Sequence, residues 1–127
     1  MAHTTQVTGR ISELTAARAL IGVGWQVAEP VVDEVYDLIG YHPQFGYSKF
    51  QVKTIRRRAD RDNQRVIYAT KGNGEAYTKD EIDYLVGVEG NAAFLTEVRN
   101  IKEYWEPSDS SKRWIELTAE ENESEAI

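Results

Sequence analysis

An acid, an amide and an amine set a hairpin's length apart are the residues of this chain most able to do chemistry. Asp37 stands in the apolar run Val35-Tyr36-Asp37-Leu38-Ile39, where a carboxylate is costly unless a metal or a cation satisfies it. Fourteen residues on comes Phe50-Gln51-Val52-Lys53. The two-residue repeat of a strand puts Gln51 and Lys53 on one face and Phe50, Val52 and Thr54 on the other. Two strands pairing across the turn Pro43-Gln44-Phe45-Gly46 would bring Asp37 beside Gln51 and Lys53. Two oxygen ligands and one ammonium would then converge. A carboxylate and an amide carbonyl both suit Mg²⁺, and a lysine can position or help deprotonate a water and stabilise charge on a phosphoryl group. The same spacing also describes an ordinary amphipathic strand with Gln51 and Lys53 solvated.

The elements that must hold these residues follow from periodicity and punctuation. Thr8 can cap a helix over residues 9–23, with Ile11, Leu14, Leu20 and Ile21 at helical spacing and Gly22 and Gly24 to end it. Residues 25–28 read as a short strand stopped by Pro30, residues 35–41 as a second and residues 47–55 as a third. Residues 56–64 form a charged connection and residues 66–70 a fourth strand. Thr78 can cap a single helical turn through Ile82. Residues 83–88 and 92–98 form a hairpin, and residues 99–105 a short helix. This order predicts an α/β fold in one domain, a mixed sheet flanked by helices. The domain covers residues 1–107, and residues 108–127 form a polar, acidic tail, partly disordered, interrupted by the apolar Trp114, Ile115 and Leu117.

With 127 residues, 41% of them apolar and 28% charged, the chain has the composition of one globular core. No apolar run approaches the roughly 18 residues that span a bilayer, and residues 1–10 lack the apolar stretch of a secretion signal. There is no cysteine, which removes disulfides and thiolate metal sites and fits a reducing, cytoplasmic setting. The net charge of −6 is unevenly spread. Lys49, Lys53, Arg56, Arg57, Arg58, Arg61, Arg65 and Lys71 face only Asp60 and Asp62 within that stretch, whereas five glutamates and no base lie from Glu116 onward. An acidic total can therefore conceal a nucleic-acid footprint.

Read in order, Ser12-Glu13, Gly24-Trp25-Gln26-Val27, Glu29-Pro30, Asp37-Leu38-Ile39 and Gln51-Val52-Lys53-Thr54 resemble the motifs of the PD-(D/E)XK nuclease superfamily, in its small Holliday-junction-resolvase-like and homing-endonuclease-like members. The likeness continues more loosely through residues 77–97. It implies a restriction-endonuclease-like core and a magnesium-dependent DNA endonuclease, with Mn²⁺ able to substitute. Asp37 would be the principal metal ligand, Gln51 the second, Lys53 the catalytic lysine, and Glu13 a helix carboxylate reaching into the site. Gln51 departs from the commoner glutamate and removes one negative charge. Glu34 is an alternative acid of lower rank than Glu13, and His42 reads as a surface residue.

Arg56, Arg57 and Arg58, directly after the catalytic strand, are placed to hold phosphates flanking the cut, and Arg61, Arg65 and Lys71 could complete a basic rim, with Lys112 and Arg113 extending it. Cutting both strands with one site per chain favours a homodimer or a higher closed oligomer, for which residues 83–98 and 99–105 are candidate interface elements. The competing reading is a catalytically inactive module of the same fold that binds DNA or a protein partner.

Overall fold

The computed structural model describes residues 3–108 and 113–118. The chain begins with α1 (Thr4–Gly22), five residues earlier than a cap at Thr8 predicts. His3 takes the cap position, and its N–H donates to Gln6 Oε1 at 3.3 Å. The face that α1 buries is the small one, Ser12, Ala16 and Leu20. Ile11, Leu14 and Ile21, expected as core positions, are more than half exposed. Small side chains let the helix approach the sheet closely enough for the Ser12 and Thr54 hydroxyls to share a 2.8 Å hydrogen bond, and that approach selects the face.

Six strands form the main sheet: β1 (Gln26–Ala28), β2 (Leu38–His42), β3 (Gly46–Thr54), then, later in the chain, β6 (Tyr84–Glu89), β7 (Ala92–Glu97) and β9 (Ile115–Glu116), side by side in that order. Every pairing is antiparallel except β3 with β6, whose register runs from Phe50↔Tyr84 to Thr54↔Val88. The sheet is mixed, as expected. A second sheet of three strands, β4 (Arg56–Arg58), β5 (Gln64–Tyr68) and β8 (Glu103–Trp105), lies in the order β4-β5-β8. The charged connection of residues 56–64 is thus largely a strand and a 3₁₀ turn, Ala59–Arg61.

The helix expected over residues 99–105 is not formed. Glu103–Trp105 pairs with β5 instead, with Ile67 opposite Tyr104. Tyr104 is fully buried, and its hydroxyl accepts the Arg99 N–H at 2.9 Å. An open edge on β5 and a pocket for a tyrosine outweigh local helix propensity here. At Thr78 a single turn does form: the Thr78 carbonyl accepts the N–H groups of Glu81 and Ile82.

These elements stack in three layers, with α1, the six-stranded sheet and the small sheet in that order. Ala16, Leu20, Trp25, Leu38, Phe50, Val52, Val86, Val88 and Ala93 fill the space under the helix. Ile55, Ile67, Ala69, Tyr77, Ile82, Leu85, Phe94, Val98 and Tyr104 fill the opposite face. Gly87 sets how closely the sheets meet, since a Cβ there would stand 2.6 Å from Ile67 Cδ1. Among the described residues α1 is the one α-helix, and the small sheet covers the face where further helices were expected. Trp114, Ile115 and Leu117, apolar residues beyond Pro107, return to the main body through β9. Lys112 and residues 119–127, which carry most of the acidic tail, lie outside the described residues.

Candidate active site

β2 and β3 form the expected hairpin, with register from His42↔Gly46 to Leu38↔Phe50. There the two strands part: β3 continues beside β6 through Thr54, but β2 has already begun at Leu38. Asp37 occupies this parting, one residue before β2 rather than inside it. Its N–H donates to the Phe50 carbonyl at 2.9 Å. Its Oδ2 accepts the N–H of Val52 at 2.9 Å, standing in for the strand partner that β2 does not extend far enough to supply. This use of Oδ2 leaves Oδ1 for another partner.

Strand alternation places Gln51 and Lys53 as predicted. Phe50 and Val52 are buried under α1, while Gln51 and Lys53, half-buried, share the opposite face with their β6 neighbours Leu85 and Gly87. Lys53 Nζ lies 5.5 Å from the centre of the Tyr77 ring, itself buried. Burial pulls the Lys53 ammonium below its usual range, and Asp37 acts in the opposite sense. Burial likewise pushes the Asp37 carboxyl up; the Val52 hydrogen bond and Lys53 oppose that, and the charges of Glu13 and Glu29 add to it. Each member of this acid–base pair favours the charged form of the other, yet desolvation outweighs the attraction at both. Shifts in these directions, in two facing groups of opposite type, are what proton-transfer chemistry uses.

Glu13, on α1, is near enough for its charge to push the Asp37 carboxyl up, and its Oε1 accepts a hydrogen bond from Arg10 at 3.1 Å. Glu29, which received no role from the sequence, acts on Asp37 as well. Its signal was its place directly before Pro30 in the loop that leads from β1 toward Asp37. Glu34 is exposed and is not among the groups that shift Asp37.

Among the described residues no group of three or more His, Cys, Asp or Glu side chains is gathered tightly enough to hold a metal. The donors at hand are the Asp37 and Glu13 carboxylates and the Gln51 amide oxygen. That all-oxygen set fits Mg²⁺, which commonly relies on one or two carboxylates and completes its shell with water and substrate phosphate. A cleft of about 630 Å³ bounded by Trp25, Phe45, Tyr84, Leu95 and Leu117 lies elsewhere, and neither Asp37 nor Lys53 lines it.

No family model matches the chain, and no curated protein matches it. Among solved structures it is similar to one described as that of a bacterial homing endonuclease, I-Ssp6803I. The TM-score is 0.65 and the identity 19%, and the match covers 86% of this chain and 82% of that one. The fold is endonuclease-like.

Within this endonuclease-like fold the basic segment is less free than its sequence implies. Arg57 makes paired hydrogen bonds to Glu89 at 2.8 and 2.9 Å. Arg58 holds Asp60 at 2.8 and 2.7 Å and donates to the Tyr68 hydroxyl at 2.7 Å. Arg65 is paired with Glu106 and lies 3.6 Å from Glu89, its guanidinium 4.5 Å from the centre of the Phe94 ring. Lys71 donates to Glu81 at 2.7 Å. Four of the six cations proposed for DNA are therefore tied within the chain. Arg56 is exposed at the start of β4, and Arg61 stacks over Trp105 at 4.3 Å. For these two the described residues supply no ion pair. Among the described residues no helix is long and apolar enough to cross a membrane.

Proposed function

We propose that this protein is a metal-dependent DNA endonuclease of the PD-(D/E)XK type, with Asp37, Gln51, Lys53 and Glu13 at its centre. The observation that carries the reading is the desolvated pair of Asp37 and Lys53 where β2 and β3 part. The fold uses only an acceptor there, for the Val52 N–H; the charges themselves cost it stability, because burial disfavours both. The endonuclease-like fold agrees with it. Asp37, Glu13 and Gln51 would hold Mg²⁺, or Mn²⁺ in its place. When bound, the metal polarises the scissile phosphodiester and acidifies the attacking water. Lys53, its ammonium destabilised by burial, can take a proton from that water when neutral and stabilise charge on the phosphoryl group when protonated. Arg56 and Arg61 would grip flanking phosphates, with Arg57, Arg58, Arg65 and Lys71 contributing only where DNA displaces their internal partners. A homodimer or higher oligomer would supply the two sites that a double-strand cut requires.

The neutral Gln51 keeps a second reading in play, in which the fold grips DNA, or a protein partner, without cutting. Incubating supercoiled plasmid and a labelled four-way junction with Mg²⁺ or Mn²⁺ separates the two. Wild type should nick or resolve its substrate, and Lys53→Ala and Asp37→Ala should each lose roughly 10²- to 10⁴-fold in rate while remaining folded. Cleavage that survives both substitutions sinks the proposal. A folded wild type that shifts DNA but cuts with neither metal selects the binding module.

A further inference from the structure

On the α1 side of Asp37 lies an ion cluster in which Arg10, a residue outside the motifs, joins Glu13 and Glu29. Arg10 donates through Nη1 and Nη2 to the two oxygens of Glu29 at 2.9 and 3.0 Å, and through Nη1 to Glu13 Oε1 at 3.1 Å. One guanidinium thus joins a carboxylate on the helix to a carboxylate just beyond β1, and both of those carboxylates act on Asp37. The pair of Arg10 and Glu29 is about half exposed on each side, and ion pairs of that exposure add little to stability. Their geometry does more. A planar fork that fills both oxygens of one acid and reaches a second fixes the rotamers of two side chains that would otherwise repel each other and Asp37.

We propose that Arg10 is a positioning residue, holding Glu13 and Glu29 together beside Asp37 so that the two glutamates restore the negative charge missing at Gln51. This inference rests on the metal-dependent reading of the site. It differs from a simple countercharge in sign. If Arg10 merely offsets the acids, its removal deepens the negative potential and tightens cation binding. If Arg10 arranges them, its removal lets them splay and weakens binding.

Mn²⁺ binding to the full chain, followed by the paramagnetic resonance signal of the free ion, decides between these. Glu29→Gln and Arg10→Gln should each weaken binding about tenfold, the scale of outer-shell changes at metal sites. Arg10→Lys should not restore it, because an ammonium cannot bridge three oxygens with the same fork. The double substitution should be no worse than either single one, since both break one unit. Unchanged or tighter binding in Arg10→Gln, with thermal melts showing an intact fold, overturns the inference. Asp37→Ala is the control on the site itself. If Asp37→Ala abolishes Mn²⁺ binding while Arg10→Gln leaves it alone, only the positioning role fails. If wild type binds no Mn²⁺, or Asp37→Ala binds it as wild type does, the metal-dependent reading fails and takes this inference with it.

Discussion

Two charged regions of this molecule, the parting of β2 and β3 and the small sheet beyond it, have opposite electrostatics. In the small sheet charge is abundant and satisfied: Arg57, Arg58 and Arg65 each have a carboxylate partner, and Glu89 and Glu106 are held below the usual carboxylate range by those arginines. At the parting the two central charges are strained: Asp37 is pushed up and Lys53 down, both chiefly by burial. Density of charge along the sequence therefore does not show which charges the fold leaves unsatisfied. Paired ions on a sheet fasten it; a buried acid and amine kept partly unsatisfied are available to a substrate.

Stability should separate the regions most sharply. Arg65 is only 17% exposed and sits between Glu106, Glu89 and the Phe94 and Trp114 rings. Arg65→Ala should cost about 1–2 kcal/mol in denaturant unfolding, a range discounted for the partial exposure of its partners. Lys53→Met, which removes a charge the fold disfavours, should not lower stability at pH 7. A larger loss from Lys53→Met than from Arg65→Ala would reverse the comparison.

Acid should act on the two regions with opposite sign. Glu89 and Glu106 have depressed values in the fold, so their contribution is present above the ordinary glutamate value and is lost as pH falls through the depressed ones. Asp37 has a raised value, so its ionisation weakens the fold above that value and the penalty disappears as pH falls toward the ordinary aspartate value. Asp37→Asn, which keeps an acceptor for the Val52 N–H, should therefore raise the melting temperature at neutral pH, and the gain should fade as pH falls toward that of an ordinary aspartate. A gain that persists at low pH, or none at pH 7, would remove Asp37 from the strained class. The smallest effect concerns DNA. Arg56→Ala and Arg61→Ala should each lower the slope of log affinity against log salt by about 0.9, whereas Arg57→Ala, already engaged by Glu89, should change it less. Equal slopes for all three variants would mean that the internal pairs open on binding.

Much of this arrangement is legible along the chain because it is local. The alternation of Phe50-Gln51-Val52-Lys53 fixes which residues share a face, and the turn at Pro43-Gln44-Phe45-Gly46 closes the hairpin that brings Asp37 near them. The paired strands of residues 84–97 are equally local. The buried face of α1 is not. Ile11, Leu14 and Ile21 have the more apolar side chains, but Ser12 and Ala16 allow the closer approach to the sheet, and only the sheet's own surface decides which matters. Residues 99–105 read as helix because propensity is counted within a segment, whereas the edge of β5 that converts Glu103–Trp105 to a strand lies nearly forty residues away.

The site divides along the same line. Sequence alone determined the identities and spacing of Asp37, Gln51 and Lys53, because strand period and turn chemistry are properties of neighbouring residues. Tertiary structure decided that Asp37 would take the Val52 N–H where two strands part, that Arg10 would join Glu13 to Glu29, and that most of the basic segment would be engaged by Glu89, Asp60, Glu106 and Glu81. Burial and partnership between side chains distant along the chain exist only once the layers have packed, and they decide which charges are spent on the fold and which remain for a ligand.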